Sequence, residues 1–124
     1  MAAPNMLQLN SIYGNSASVP LTTTSEIALL SNAAASNMVL KVNALYVANT
    51  SGSTVTITIN LHNAAAIGGT ASAIASTVSV PANSTLTVID KDANLYLIEN
   101  TSIGAVAGTG SSALICTISW EQCS

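Results

Sequence analysis

The feature that most constrains the fold is a run of strictly alternating residues from Thr54 to His62. Its apolar members are Val55, Ile57, Ile59 and Leu61, and Thr, Asn and His stand between them. Because successive side chains of a strand point to opposite faces, such a run puts all four apolar residues on one face. β-Branched residues also favour strands. The run therefore predicts a half-buried strand, with His62 on its polar face and exposed to solvent.

A second alternating run, residues 37–49, precedes the first. On this pattern one side of the strand carries Val39, Lys41, Asn43, Leu45 and Val47. The two runs are separated by Asn49-Thr50-Ser51-Gly52-Ser53, a glycine-containing turn of hairpin length. Together they predict a long antiparallel β-hairpin.

Shorter strand-like runs occupy much of the remaining chain, and no stretch has the three- and four-residue spacing of an amphipathic helix. The runs cover residues 27–30, 73–80, 85–89, 95–98, 103–107 and 113–121. Turn residues separate them, for example Pro81-Ala82-Asn83-Ser84 and the acidic segment Asp90 to Asn94, and residues 64–70 are expected to form a flexible loop. We therefore predict an all-β fold, either an antiparallel β-sandwich or a jelly-roll-like barrel with an extended N-terminal arm.

The chain of 124 residues fits a single domain. Residues 1–25 differ from the rest, with two prolines, scattered Asn and Ser, and a run of three threonines. We predict an N-terminal arm over residues 1–25, which pairs with the main domain or with a neighbouring subunit, and a β-sandwich domain over residues 26–124. The N-terminus lacks the layout of a signal peptide, and no apolar run is long enough for a membrane-spanning helix.

Charged residues are unusually few. They make up 6% of the chain, with a net charge of −3, whereas about a quarter of a typical soluble domain is charged. Charged groups are depleted in the cores of protein interfaces, so the composition favours a chain packed between other subunits over a monomer with a neutral polar coat. Two basic residues are too few for sequence-independent binding to phosphate backbones, so we expect no nucleic-acid partner.

The sequence offers no catalytic, cofactor-binding or metal-binding residues. His62 is the only histidine, and the two cysteines and five carboxylates are not spaced as metal ligands. Asp90 and Asp92 resemble the start of a calcium loop, but the glycine and the late Glu of that loop are missing. The spacing of Cys116 and Cys123 does not indicate a disulfide framework, although whether they ever pair stays open. We expect a protein without enzymatic activity.

Four segments of the chain carry a resemblance to a known family. They are VLKVNALYVANTSGSTVTITI (39–59), VSVPANSTLTVID (78–90), LYLIENTSIGAVAG (95–108) and ALICTISWE (113–121). They resemble small β-sandwich structural proteins of tailed bacteriophages, particularly phages that infect cyanobacteria and other aquatic bacteria. The resemblance covers residues 29–124. One departure is Ile98-Glu99-Asn100, where members of the family often carry more charge.

The resemblance implies a capsid decoration, or cement, protein on the surface of the phage head, assembled in the host cytoplasm. Its partners would be the major capsid protein and copies of itself, for example in a trimer, with no membrane partner. Residues of the arm would anchor it; we predict Leu7, Leu9, Ile12, Tyr13 and Val19. Two alternatives stay open: a neck, tail, baseplate or fibre-attachment component of the virion, and, in a different class, a carbohydrate-binding β-sandwich.

Overall fold

The computed structural model describes residues 4–93 and 95–124, and within these ranges the chain forms nine strands and no helix. The strands are β1 (Ile12–Pro20), β2 (Ile27–Asn32), β3 (Val39–Asn49), β4 (Val55–Ala64), β5 (Gly68–Val80), β6 (Thr85–Ile89), β7 (Leu95–Leu97), β8 (Thr101–Ala107) and β9 (Leu114–Cys123). Residues 1–3 of the predicted arm and Asn94 of the predicted acidic turn lie outside the described residues. In the described part, no helix could span a membrane.

The strands form two antiparallel sheets. Sheet A has the order β1-β9-β3-β6, with β7 also paired to β3, and sheet B has the order β2-β8-β4-β5. The pairing is concentric, since β1 pairs with β9, β2 with β8, β3 with β6 and β7, and β4 with β5. A long hairpin rolled up in this way is a jelly roll. The predicted antiparallel sandwich is confirmed, and the strand order favours its jelly-roll form.

The core lies between the inner faces of the two sheets and is mostly aliphatic. Its largest fully buried apolar side chains are Leu21, Leu45, Ile57, Ile59, Leu97, Ile103, Leu114, Ile118, Val42, Val47 and Val80. Burying a side chain of this kind contributes roughly 1.5–3 kcal/mol. The alternation of β4 explains which of its side chains belong to the core. Three of its four predicted apolar residues are buried, and the fourth, Leu61, packs partly against the core.

The predicted alternation of β3 is wrong in one respect. Its core residues are Leu40 and Val42, then Leu45 and Val47, so the inward-facing set changes parity within the strand. The register with β9 shifts between Val42 and Ala44, which marks a β-bulge at Asn43. Since a bulge inserts one extra residue, it moves the following side chains to the opposite face.

The N-terminal part of the chain belongs to the sandwich from Ile12 onward. β1 pairs with β9 residue by residue over its whole length, and Leu21, directly after it, is fully buried in the core. The arm is expected to pair either with the main domain or with a neighbouring subunit, and the structure contains the pairing with the main domain. The loop predicted over residues 64–70 is shorter than expected, because β5 already begins at Gly68 and its amide donates to the carbonyl oxygen of Ala65.

Candidate assembly edge and the Glu26–His62 pair

β1 is the outermost strand of sheet A, and among the described residues no strand pairs with its second edge. It contains no charged residue, and its nine residues pair with β9 without a shift in register. Seven of its nine residues are exposed. A strand of this kind offers unpaired backbone N–H and C=O groups to another chain.

The hydrogen-bond pattern shows which groups β1 offers. The amide of Ser11 donates to the carbonyl oxygen of Ser124, and the carbonyl oxygen of Ser11 accepts from the Ser124 amide in return. The amide of Leu21 donates to the carbonyl oxygen of Leu114. In an antiparallel pair, hydrogen-bonded and non-hydrogen-bonded positions alternate. Odd-numbered residues of β1 therefore bond to β9, whereas the N–H and C=O groups of Ile12, Gly14, Ser16 and Ser18 point away from the sheet.

The other three edges of the sandwich carry features that discourage strand addition. β2 has six residues, a bulge and Glu26 directly before it. β6 and β7 have five and three residues and flank the charged segment 90–92. β5 is long, but its pairing with β4 shifts register at three places. β1 is neither short nor bulged nor flanked by charge, and its one proline, Pro20, stands at its last position.

The structure separates the five predicted anchors into three groups. Leu7, Ile12 and Tyr13 are exposed, with 93%, 56% and 61% of their surfaces accessible. Leu9 is half-buried. Val19 is also half-buried and packs against the core of its own chain. The first three are thus accessible to a partner, and their role as anchors stays a prediction.

The prediction that His62 is exposed is wrong: only 4% of its surface is accessible. Its partner in β8 is Ser102, and both stand on the outer face of sheet B, opposite the core. The turn between β4 and β5 covers this part of the face. The Ala66 and Ile67 amides donate to the hydroxyls of Ser31 and Ser102, each at 2.9 Å.

Beneath this turn His62 pairs with Glu26. The His62 Nε2 atom lies 2.6 Å from Glu26 Oε2, and Nδ1 lies 3.1 Å from the carbonyl oxygen of Gly68. Asn60 Nδ2 also donates to Glu26 Oε2, at 3.3 Å. The carboxylate lies directly over Gly104, where a Cβ atom would overlap it. Sequence reasoning missed Glu26 and Gly104, because only the register of the sheet brings them to His62.

Through these contacts His62 holds two connecting segments in place, the one that contains Glu26 and the turn between β4 and β5. The arrangement does not present a reactive group. Both ring nitrogens of His62 face acceptors within the chain, so neither is directed at a substrate. Ser102, the neighbouring hydroxyl, donates to the carbonyl oxygen of Ala64. In the described residues no three or more His, Cys, Asp or Glu side chains are grouped to hold a metal ion.

Cys116 and Cys123 are both free thiols and both buried. Burial raises the pKa of Cys116 to about 12. The pKa of Cys123 is also raised, mainly by burial and then by the Glu121 carboxylate, against the opposing effect of Lys41. Because the thiolate is the reactive form, neither side chain is suited to a link between chains.

No protein-family model and no curated protein matches this chain. Among solved structures, the chain is similar to one described as "Bacillus endospore appendages form a novel family of disulfide-linked pili". The match has a TM-score of 0.50 and 12% sequence identity, and it covers 98% of this chain and 94% of that one. At this identity the likeness concerns the fold.

Proposed function

We propose that the chain is a non-enzymatic structural subunit that joins a larger assembly by strand addition at β1. The observation that carries this proposal is the contrast between the edges: β1 is uncharged, regular and open, whereas the other three are short, bulged or flanked by charge. The low charge of the whole chain agrees with it, since charged groups are depleted in interface cores.

Strand addition at this edge would be modest for each copy. Four residues of β1 direct their N–H and C=O groups outward, and a backbone hydrogen bond contributes about 0.5–1.5 kcal/mol net. Burial of Leu7, Ile12 and Tyr13 against the partner would add to this. Many copies, each held by such an interface, stabilise an assembly through multivalency.

For the kind of assembly, we propose the head of a tailed phage, with the chain as a decoration protein bridging capsid subunits. The proposal rests on the resemblance of residues 29–124 to phage structural proteins, and the jelly roll is a fold that capsid proteins use. A neck or tail position would give the same fold but a different copy number. Quantitative mass spectrometry of purified particles distinguishes them: decoration predicts a ratio to the major capsid protein near one or a simple fraction, and a trace ratio contradicts it.

A second candidate is a filament made of copies of this chain. It is favoured by the similarity to an endospore appendage structure, which extends over nearly the whole of both chains. The pili named there are disulfide-linked, whereas both thiols of this chain are buried. Copies of this chain would therefore be joined by backbone pairing and apolar contacts. Electron microscopy of the purified protein separates the two candidates, because a filament subunit polymerises alone and a decoration protein requires shells.

The substitution Ser16→Pro tests strand addition itself. Proline lacks the N–H that Ser16 directs outward, and proline is tolerated at the open side of an edge strand. The variant should fold and lose assembly, whereas Ser16→Ala, which keeps the N–H, should assemble like the wild type. Ala17→Pro is the matched control for the hydrogen-bond pattern, because it removes a bond to β9 and should lower the melting temperature. Normal assembly of a folded Ser16→Pro protein would contradict the proposal.

A further inference from the structure

A cleft at one end of the sandwich lies away from the β1 edge and shares one residue, His62, with the ion pair described above. Its volume is about 180 Å³, and it is lined by Leu61, His62, Asn63, Thr70, Ser72 and Thr101. We propose that this cleft binds a small uncharged polyhydroxy ligand, such as a single sugar residue. This site goes beyond the proposed function, because it lies on sheet B and does not involve β1.

The register of sheet B explains how the cleft forms. Leu61 pairs with Ser72 of β5 and with Ile103 of β8, and it packs partly against the core, so these three positions share the inner face. Asn63, Thr70 and Thr101 are each two residues from one of them, and side chains two apart lie on the same face. Five of the six lining residues therefore belong to the inner face, where β4 and β5 continue beyond the apolar core, and His62 joins them from the outer face. Most of the accessible surface of the cleft is apolar, with hydroxyl and amide groups set into it.

The hydrogen-bonding groups of the cleft remain available to a ligand. Thr70 and Ser72 are exposed, so their hydroxyls can both donate and accept. The Asn63 Oδ1 atom accepts from the amide of Thr70 at 2.7 Å, which leaves the Asn63 NH₂ group free to donate into the cleft. Thr101 Oγ1 donates to the carbonyl oxygen of Ile98 at 2.7 Å and keeps its lone pairs.

The chemistry and size of the cleft limit what it can bind. None of its six lining residues is a carboxylate or an ammonium group, and the ring nitrogens of His62 are directed at Glu26 and Gly68. Charged ligands would find no partner there. The volume is below the roughly 300–1,000 Å³ of pockets for drug-sized ligands, which limits the ligand to about one ring. A sugar ring meets these conditions, with its C–H face on Leu61 and its hydroxyls on the Thr, Ser and Asn side chains.

Titration of the ¹⁵N-labelled protein with the methyl glycosides of glucose, galactose, mannose and N-acetylglucosamine tests this proposal. We expect at least one to bind with a millimolar Kd and to shift the amide resonances of residues 61–63 and 70–72. The double substitution Thr70→Val and Ser72→Ala removes two hydroxyls with little change in shape, and it should weaken binding by about tenfold or more. Ser79→Ala is the matched control, because Ser79 lies on the outer face of the same strand, paired with Thr56.

The melting temperatures of the variants establish that they fold. If none of the four glycosides binds, or if binding is unchanged in the double variant, the proposal is overturned. This result does not depend on the β1 edge. A protein that assembles normally but binds no glycoside contradicts only the proposed sugar site. A protein that binds a glycoside but fails to assemble contradicts only the proposed function.

Discussion

Leu21 stands in the connection between the two sheets, directly after β1, and from residue 4 onward it is the first fully buried core residue. Its amide donates to the carbonyl oxygen of Leu114, so its backbone continues the pairing of β1 with β9. Replacing Leu21 by alanine should therefore weaken the whole sandwich and not only a peripheral arm.

The expected magnitude follows from the burial of this side chain. Leu21→Ala removes three carbon groups, and each buried group of this kind contributes about 0.8 kcal/mol, which gives roughly 2.4 kcal/mol for transfer alone. A cavity left in a packed core adds to this, so the free energy of unfolding should fall by about 3–5 kcal/mol. For a domain whose total stability is about 5–15 kcal/mol, such a loss is large.

Leu7→Ala is the matched control, since it is the same substitution fourteen positions earlier at a side chain that is 93% exposed. It should change the free energy of unfolding by less than about 0.5 kcal/mol. Urea denaturation followed by circular dichroism measures both variants. If Leu21→Ala were as stable as the wild type, the inclusion of the N-terminal segment in the core would be refuted.

The remaining predictions concern three residues, Gly104, Asn49 and Cys116. Gly104→Ala should lower the free energy of unfolding by about 1–3 kcal/mol, because the new Cβ atom would overlap the Glu26 carboxylate. In urea denaturation, adding Glu26→Ala should recover part of this loss. If the losses of the two single variants simply add in the double variant, this cause is refuted. Asn49→Asp should lower the free energy of unfolding by about 2 kcal/mol or more. The Asn49 NH₂ group donates to the carbonyl oxygens of Ser53 and Val80, at 2.8 and 2.9 Å, and in the variant these oxygens would face a carboxylate. An unchanged melting temperature would contradict this prediction. With its pKa raised to about 12, Cys116 should not react with Ellman's reagent at pH 8 until the chain is unfolded. Because the pKa of Cys116 in the folded chain lies above the ordinary thiol value of 9.0, its contribution to stability is complete below about pH 9 and is lost as the pH rises towards 12. Cys116→Val should remove this part of the pH dependence of the free energy of unfolding.

Local patterns in the sequence predict most of the strands. β4 and β6 lie within two residues of the predicted bounds, because each is a short alternating or β-branched run next to a turn. The concentric pairing was not predictable in the same way, since the partners of β1 and β9 are separated by about a hundred residues. Alternation predicts which side chains share a face, but not which strand lies beside it.

The bulge in β3 and the burial of His62 show where local patterns fail. At Asn43 the alternation continues in the sequence, and the change of face comes from the pairing with β9. The face of His62 follows from its strand, but its burial depends on a turn held by Ser31 and Ser102, which belong to two other strands. The candidate assembly edge could be predicted only in part. The absence of charge in residues 12–20 is visible in the sequence, but which N–H groups of β1 point outward follows only from its register with β9.

Hydrogen–deuterium exchange of β1 tests strand addition most directly, with the free protein compared with assemblies that contain it. In the free protein, the amides of Tyr13, Asn15 and Ala17 should be protected by β9, and those of Gly14, Ser16 and Ser18 should exchange rapidly. In the assembly, the second set should become protected as well. If Gly14, Ser16 and Ser18 exchange as rapidly in the assembly as in the free protein, the edge of β1 is not the site of assembly.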